Sequence, residues 1–320
     1  MLFPFLAVIG GISALVWSAD IFVSGAATTA KNFGMSKLLI GLTIVSIGTS
    51  SPEILVALAA ALDKASSLAI GNAIGSNIAN IGLVLGLTAI ISPLPYAKSL
   101  LRLELPILIG VSLLGLVVIY DLKIEASDGI LLLAGLVLST HLLIRAKRRT
   151  TSASSSHDQK ELEQLTEYTT TGALYRLSGG LLVLLVSAWV IVWGATQIAE
   201  LIGVSDLVIG LTIVAIGTSL PELAATVASS LKGHPEIAIG TIVGSNILNI
   251  LAVIAVPALV NPIEIEPNVL WRDYIMMLGL TFLLVAFAYR IRHNSILNRA
   301  QGCAFLVAWV GYNMVLYIQA

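Results

Sequence analysis

GLTIVSIGTSSPE, residues 41–53, returns as GLTIVAIGTSLPE, residues 210–222. The offset of 169 holds without a gap through the surrounding chain: between Ile40–Asn80 and Ile209–Asn249, 22 of 41 pairs are identical, ending in GSNI and a trailing Asn in both copies. A match that dense marks an internal duplication. The register also runs backwards, pairing Ser18-Ala19, Gly25-Ala26 and Gly34 with Ser187-Ala188, Gly194-Ala195 and Gly203, so the repeat includes the apolar run that precedes the motif.

What surrounds the motif is membrane sequence. The chain has 320 residues, 57% of them hydrophobic and 11% charged, against about 25% charged in a soluble domain. Apolar runs near the roughly 20 residues that cross a bilayer recur throughout. They predict an all-α polytopic bundle of ten spans, at 3–28, 37–62, 68–91, 104–120, 127–145, 174–199, 206–231, 237–260, 272–289 and 302–319. One hydrophilic stretch, 147–171, rich in Ser, Thr, Glu and Lys, divides them. This gives a first five-span repeat over 1–146, a linker over 147–171 and a second repeat over 172–320. Five is odd, so the second copy must cross the membrane upside down relative to the first. Inverted repeats of this kind place a site at the bilayer midplane, where interrupted helices from the two halves meet.

Loop charge sets the expected orientation. With the N-terminus outside, the odd-to-even loops and the linker hold 14 of the 17 Lys and Arg residues, leaving only Lys64, Lys123 and Arg272 on the other side. The positive-inside rule then makes the linker cytoplasmic and puts both termini outside, in a plasma or inner membrane. The first run lacks a basic leader and a small-residue cleavage site, so it reads as a retained helix. A net charge of −1 gives no reason to expect a nucleic-acid partner, and no obligate protein partner is evident beside the lipid bilayer. Cys303 has no second thiol to pair with and is expected to pack in its span. No nucleophile, histidine base or cofactor motif lies in the spans, so neither an enzyme nor a resident cofactor is expected.

The repeated motifs carry ligand chemistry. Pro52 and Pro221 lack an N–H and clash with the carbonyl four residues back, so each is expected to break its span and release carbonyls that attract cations. Glu53 and Glu222 follow directly, and a carboxylate at that depth must face a polar cavity or a bound ion. Thr49 and Ser50 share a helical face with Glu53, as Thr218 and Ser219 do with Glu222, and Ser76 with Asn80 and Ser245 with Asn249 are spaced i, i+4. The second, third, seventh and eighth spans are thus expected to be broken and to converge their ligands on one place, and the inventory is all oxygen, which suits a hard cation. Ca²⁺ takes about 6–8 oxygens, and two bidentate glutamates plus the Thr49 and Thr218 carbonyls offer about six. Gly71, Gly75, Gly240 and Gly244 are expected to serve close packing. Asn77 and Asn246 are expected to tie helices together, and Asp20, whose repeat partner is Trp189, is not counted as a ligand.

With its two GTSxPE elements at 48–53 and 217–222 and its two GSNxxN elements at 75–80 and 244–249, the chain resembles the cation/calcium exchanger superfamily, specifically the sodium/calcium exchanger branch. The resemblance covers nearly the whole chain. It implies ten helices, alternating access with the first and sixth spans moving against the other eight, and one Ca²⁺ site beside Na⁺ sites. It assigns Glu53 and Glu222 to Ca²⁺ and Na⁺, the Thr49 and Thr218 carbonyls to the same ions, and Ser50, Ser76, Ser219 and Ser245 mainly to Na⁺. Asn80 and Asn249 complete the ring. Asn249 stands where potassium-dependent members carry Asp, which argues against K⁺ dependence. The implied activity is electrogenic exchange of about three Na⁺ for one Ca²⁺, with Ca²⁺/H⁺ antiport through the same glutamates as the alternative.

Overall fold

The computed structural model describes residues 2–62, 66–97, 100–151, 168–201, 215–290 and 296–319. The helices are α1 (Leu2–Asn32), α2 (Lys37–Thr49), α3 (Ser51–Leu62), α4 (Ala69–Ile91), α5 (Leu100–Ile119), α6 (Ala126–Thr151), α7 (Thr170–Leu201), α8 (Ala215–Thr218), α9 (Leu220–Leu231), α10 (Pro235–Val260), α11 (Val269–Tyr289) and α12 (Arg299–Gln319). Among the described residues, eight are long and apolar enough to cross a membrane, and nine spans result if the bent α2–α3 pair counts as one. The chain is therefore a multi-pass integral membrane protein. Residues 206–214 of the expected seventh span, and most of the linker, lie outside the described residues.

Boundaries differ from the expectation where polar residues tolerate helix. α6 runs on to Thr151, past the expected span end at 145, and α7 begins at Thr170 rather than 174. Hydropathy falls in the 145–151 stretch, but Lys and Arg are good helix formers and simply extend the coil. Cys303 also departs from the reading: it is exposed on α12 rather than packed.

Elements recur at the 169 offset. Two-residue strands at Leu94–Pro95 (β1) and Ile263–Glu264 (β3) correspond, and so do wide π-turns at Asn80–Leu85 and Asn249–Val253, and at Leu100–Glu104 and Val269–Tyr274. β1 pairs antiparallel with β4 (Ile296–Leu297), and β3 pairs in the same manner with β2 (Lys123–Ile124), so each half contributes one strand to each pair.

α1 and α7 lie side by side and antiparallel. Gly11 meets Ile191, Gly25 meets Leu177, Gly180 meets Phe22 and Gly194 meets Pro4, so contacts that rise along α1 fall along α7. Glycine at each crossing lets the two backbones approach, the packing that lipid-embedded helices use when burial of apolar surface offers no drive. This pair, with Ile40, Val45, Ala225 and Ile237, forms a hydrophobic cluster separate from the main core built by the other helices. The long α1–α7 pair is thus a layer laid against a bundle.

At the centre of that bundle α10 packs on α2. A Cβ on Gly240 would sit 2.6 Å from Leu38 O, and one on Gly244 would sit 2.5 Å from Leu42 O and 2.6 Å from Ser46 Oγ. Packing is therefore the role of these two glycines. At Gly71 and Gly75 an added Cβ would meet no described residue, and the segment equivalent to α2 in the second half falls in the undescribed stretch. Gly244→Ala is expected to cost about 1–3 kcal/mol, the usual result of overpacking, whereas Gly279→Ala, with open space around it, should be neutral or stabilising by up to about 1 kcal/mol. Thermal unfolding midpoints in detergent check the pair.

Candidate functional site

The break in the second span is local and repeated. α2 and α3 meet at a bend of 43°, and the residue at the break, Ser50, has φ −85° and ψ 8°. Its counterpart Ser219, between α8 and α9, has φ −90° and ψ 1°. These near-identical values lie in the sparsely allowed bridge region. Pro52 and Pro221 sit within the first turn of α3 and α9, a position where proline's missing N–H costs nothing because that donor would have no intrahelical partner. The prolines thus start the second half-helix rather than kink a continuous one. Having no N–H, neither can tie the carbonyl of Gly48 or Gly217.

Glu53 and Glu222 follow in the first turns of α3 and α9, where the partial positive end of a helix favours an anion. Both are buried, at 1% and 0% exposure. Ser50 joins the halves: its Oγ donates to Glu222 Oε1 at 3.0 Å and lies 2.9 Å from Ser245 Oγ on α10. The two carboxylates are close enough to interact electrostatically.

The third and eighth spans were expected to be interrupted as well, and here the structure corrects the reading. α4 and α10 are continuous; each widens into a π-turn that begins at the site residue itself, Asn80 or Asn249. GSN contains no proline, so no backbone donor is lost, and the strain is taken up as an extra residue in one turn, a form that π-bulges adopt at functional sites. Nothing in hydrophobic periodicity signals it. Asn80 Nδ2 donates to Asn246 Oδ1 at 3.2 Å, and Asn77 Nδ2 donates to the Asn246 carbonyl at 3.3 Å. Asn77 and Asn246 do tie α4 to α10, across repeat-equivalent positions.

Of the ten predicted ligands, Thr49, Ser50, Glu53, Ser76, Asn80, Ser219, Glu222, Ser245 and Asn249 are buried, and Thr218 is half-buried. Thr49 turns its hydroxyl back to Val45 O at 3.1 Å, so the hydroxyl is engaged within its own helix. Among the described residues, Glu53 Oε2, Glu222 Oε2, Ser219 Oγ, Asn80 Oδ1 and Asn249 Oδ1 have no hydrogen-bond partner. Buried polar atoms are nearly always paired; five orphaned oxygens contributed by both repeats form a donor set suited to a hard cation as substrate. Among the described residues no three Asp, Glu, His or Cys side chains group together, so the acids of the site number two. Asp20 lies elsewhere, paired with Lys232.

Comparison with known proteins gives one answer. The family model described as sodium/calcium exchanger protein matches residues 3–145 and 173–318. The inner membrane protein YrbG of Escherichia coli (strain K12) is 40% identical, covering 91% of this chain and 90% of that one. The sodium/calcium exchanger MaX1 of Methanosarcina acetivorans is 30% identical, covering 98% of both. Among solved structures, the sodium-calcium exchanger NCX_Mj matches with a TM-score of 0.83 at 34% identity, covering 98% of this chain and 99% of that one. With the family model spanning all but the linker and the ends, the chain belongs to the sodium/calcium exchanger protein family.

Proposed function

We propose that this protein exchanges Na⁺ for Ca²⁺ across a plasma or inner membrane by alternating access, electrogenically and without K⁺. Membership in the family makes cation/Ca²⁺ antiport the coarse function, and the ions named for MaX1 and NCX_Mj support Na⁺ as the partner. The observation that carries the reading is the junction of Ser50, Glu222 and Ser245, which brings the two repeats to one place beside Glu53. Two carboxylates there hold a charge of −2. One Ca²⁺ neutralises it, and several Na⁺ compensate it in turn, so either load can cross while the empty site resists crossing. Exchange is favoured over leak for that reason.

The architecture fits ten helices in two inverted repeats. The antiparallel α1–α7 contacts and the reciprocal β1–β4 and β2–β3 pairs are what an inverted duplication would produce. The outward termini and cytoplasmic linker follow from loop charge. Glu53 and Glu222 are the principal ligands, Thr49 and Thr218 contribute carbonyls, Ser50, Ser76, Ser219 and Ser245 serve Na⁺, and Asn80 and Asn249 close the ring. Asn249 in place of a third acid underlies K⁺ independence.

Glu53→Gln and Glu222→Gln should each lower Ca²⁺ uptake into proteoliposomes at least about 100-fold, since each leaves a buried charge pairing incomplete at a cost of about 3–5 kcal/mol. Wild-type rates in both would contradict the assignment. Ser50→Ala removes a bond to an ionised group, worth about 1.5–3 kcal/mol, and should raise the KM for Ca²⁺ about tenfold or more with folding intact. Electrogenicity predicts that an imposed potential shifts the Na⁺/Ca²⁺ balance point by about 2.3 kcal/mol per 100 mV for each net charge moved; a balance point indifferent to voltage would show neutral exchange.

A further inference from the structure

Where α4 packs on α10, each repeat supplies two asparagines: Asn77 and Asn80, and their counterparts Asn246 and Asn249. All four are buried. The duplication would allow a symmetric network, yet the bonds run one way. Asn80 Nδ2 donates to Asn246 Oδ1 at 3.2 Å, and Asn77 Nδ2 donates to the Asn246 carbonyl at 3.3 Å. The mirror bonds would run from Asn249 Nδ2 to Asn77 Oδ1 and from Asn246 Nδ2 to the Asn77 carbonyl. Among the described residues, Asn249 Nδ2, Asn77 Oδ1 and Asn246 Nδ2 instead have no partner.

A sequence difference between the halves matches this direction. Asn77 Nδ2 also donates to Met277 Sδ on α11, at 3.3 Å. A primary amide has two N–H donors, and both are used here, which holds Asn77 with its nitrogen turned to α10 and α11. The counterpart of Met277 is Leu108 on α5, a helix that packs on α10. Its side chain carries no acceptor. The Asn246 amide therefore has no second partner for its nitrogen, and it turns its oxygen to Asn80.

The consequence falls on a ligand. An asparagine side chain can offer a cation only its oxygen; its other arm carries N–H donors, which point positive charge at the ion. Asn246 engages the nitrogen arm of Asn80, and the arm left over is Oδ1, one of the orphaned oxygens of the site. Asn249 has neither arm engaged among the described residues. Two ring amides that are equivalent in sequence are thus unlike in how they are held.

We propose that Asn246 is a positioning residue for the cation site: it fixes Asn80 with the carbonyl oxygen offered to the substrate cation and leaves Asn249 as the ring amide that can turn. Asn246 acts through Asn80 and does not itself touch the ion. The inference rests on the cation-site reading above but not on which ions are exchanged.

Cation binding by the purified full chain in detergent tests it, scored with radiolabelled Ca²⁺ and, separately, with Na⁺ by calorimetry. Asn246→Ala should weaken binding about tenfold or more, the usual effect of removing a group that orients a metal ligand, and by as much as Asn80→Ala does. The double variant should bind no more weakly than either single one, because both changes remove the same oxygen from the ion; a double-mutant cycle reads that coupling. Asn246→Ala combined with Asn249→Ala should instead show effects that multiply. Three results would overturn the proposal: multiplying effects for Asn246 and Asn80, coupling as strong between Asn246 and Asn249, or unchanged affinity with a lowered unfolding midpoint, which would leave Asn246 as a tie between helices. If Asn246→Ala does not fold, Asn246→Ser is read by the same cycle, since its hydroxyl is too short to reach Asn80 and can bond within its own helix. Failure of Na⁺-driven Ca²⁺ uptake in the unaltered protein would sink the antiport reading, whereas the cycle, scored with either ion, decides this one.

Discussion

Two carboxylates held a short distance apart in the interior of a membrane protein repel each other through a medium that screens them poorly, and each has given up its hydration to be there. Glu53 and Glu222 stand under that constraint, and the surrounding structure answers it piece by piece. Each glutamate begins a half-helix, whose end carries favourable partial charge. Ser50 reaches across the duplication to bond Glu222. Ser219 Oγ, Asn80 Oδ1, Asn249 Oδ1 and one oxygen of each glutamate have no hydrogen-bond partner among the described residues.

The duplication explains how one chain builds such a place economically. Breaking the second span of each half before a proline starts two half-helices near the same depth, and the π-turns at Asn80 and Asn249 widen the third spans where their amides stand. The α1–α7 layer is glycine-matched along its own crossing and, with Ile40, Val45, Ala225 and Ile237, forms a cluster apart from the main core. Symmetry is not complete. Ser46 becomes Ala215, Asp20 becomes Trp189, and Ala57, Ala60 and Ala61 of α3 become Thr226, Ser229 and Ser230 of α9. A transporter whose two openings were perfect mirror images would have no means of treating its two sides differently, and at these positions the halves diverge in chemistry.

The described spans and the burial of both glutamates were legible because each rests on a signal with a strong physical cause: apolar length, and the self-similar motif that sets a carboxylate behind each proline. Proline's missing donor located the breaks at Ser50 and Ser219 to within two residues. The π-turns were not legible, since a wide turn leaves composition and periodicity almost unchanged and is set by packing between α4 and α10. Nor was the Asp20–Lys232 pair, whose members are 212 residues apart and meet only once α1 lies across α9. Cys303 was misplaced because an apolar span tells how deep a residue sits, not whether it faces protein or lipid.

The most direct measurement is the identity of the ion that drives Ca²⁺ across the membrane. Proteoliposomes loaded with Na⁺ and diluted into Na⁺-free medium, with and without K⁺, should accumulate Ca²⁺ at rates that K⁺ does not change, and vesicles given a pH gradient alone should not. Uptake powered by the pH gradient without Na⁺ would contradict the account and make Glu53 and Glu222 proton carriers in a Ca²⁺/H⁺ antiporter.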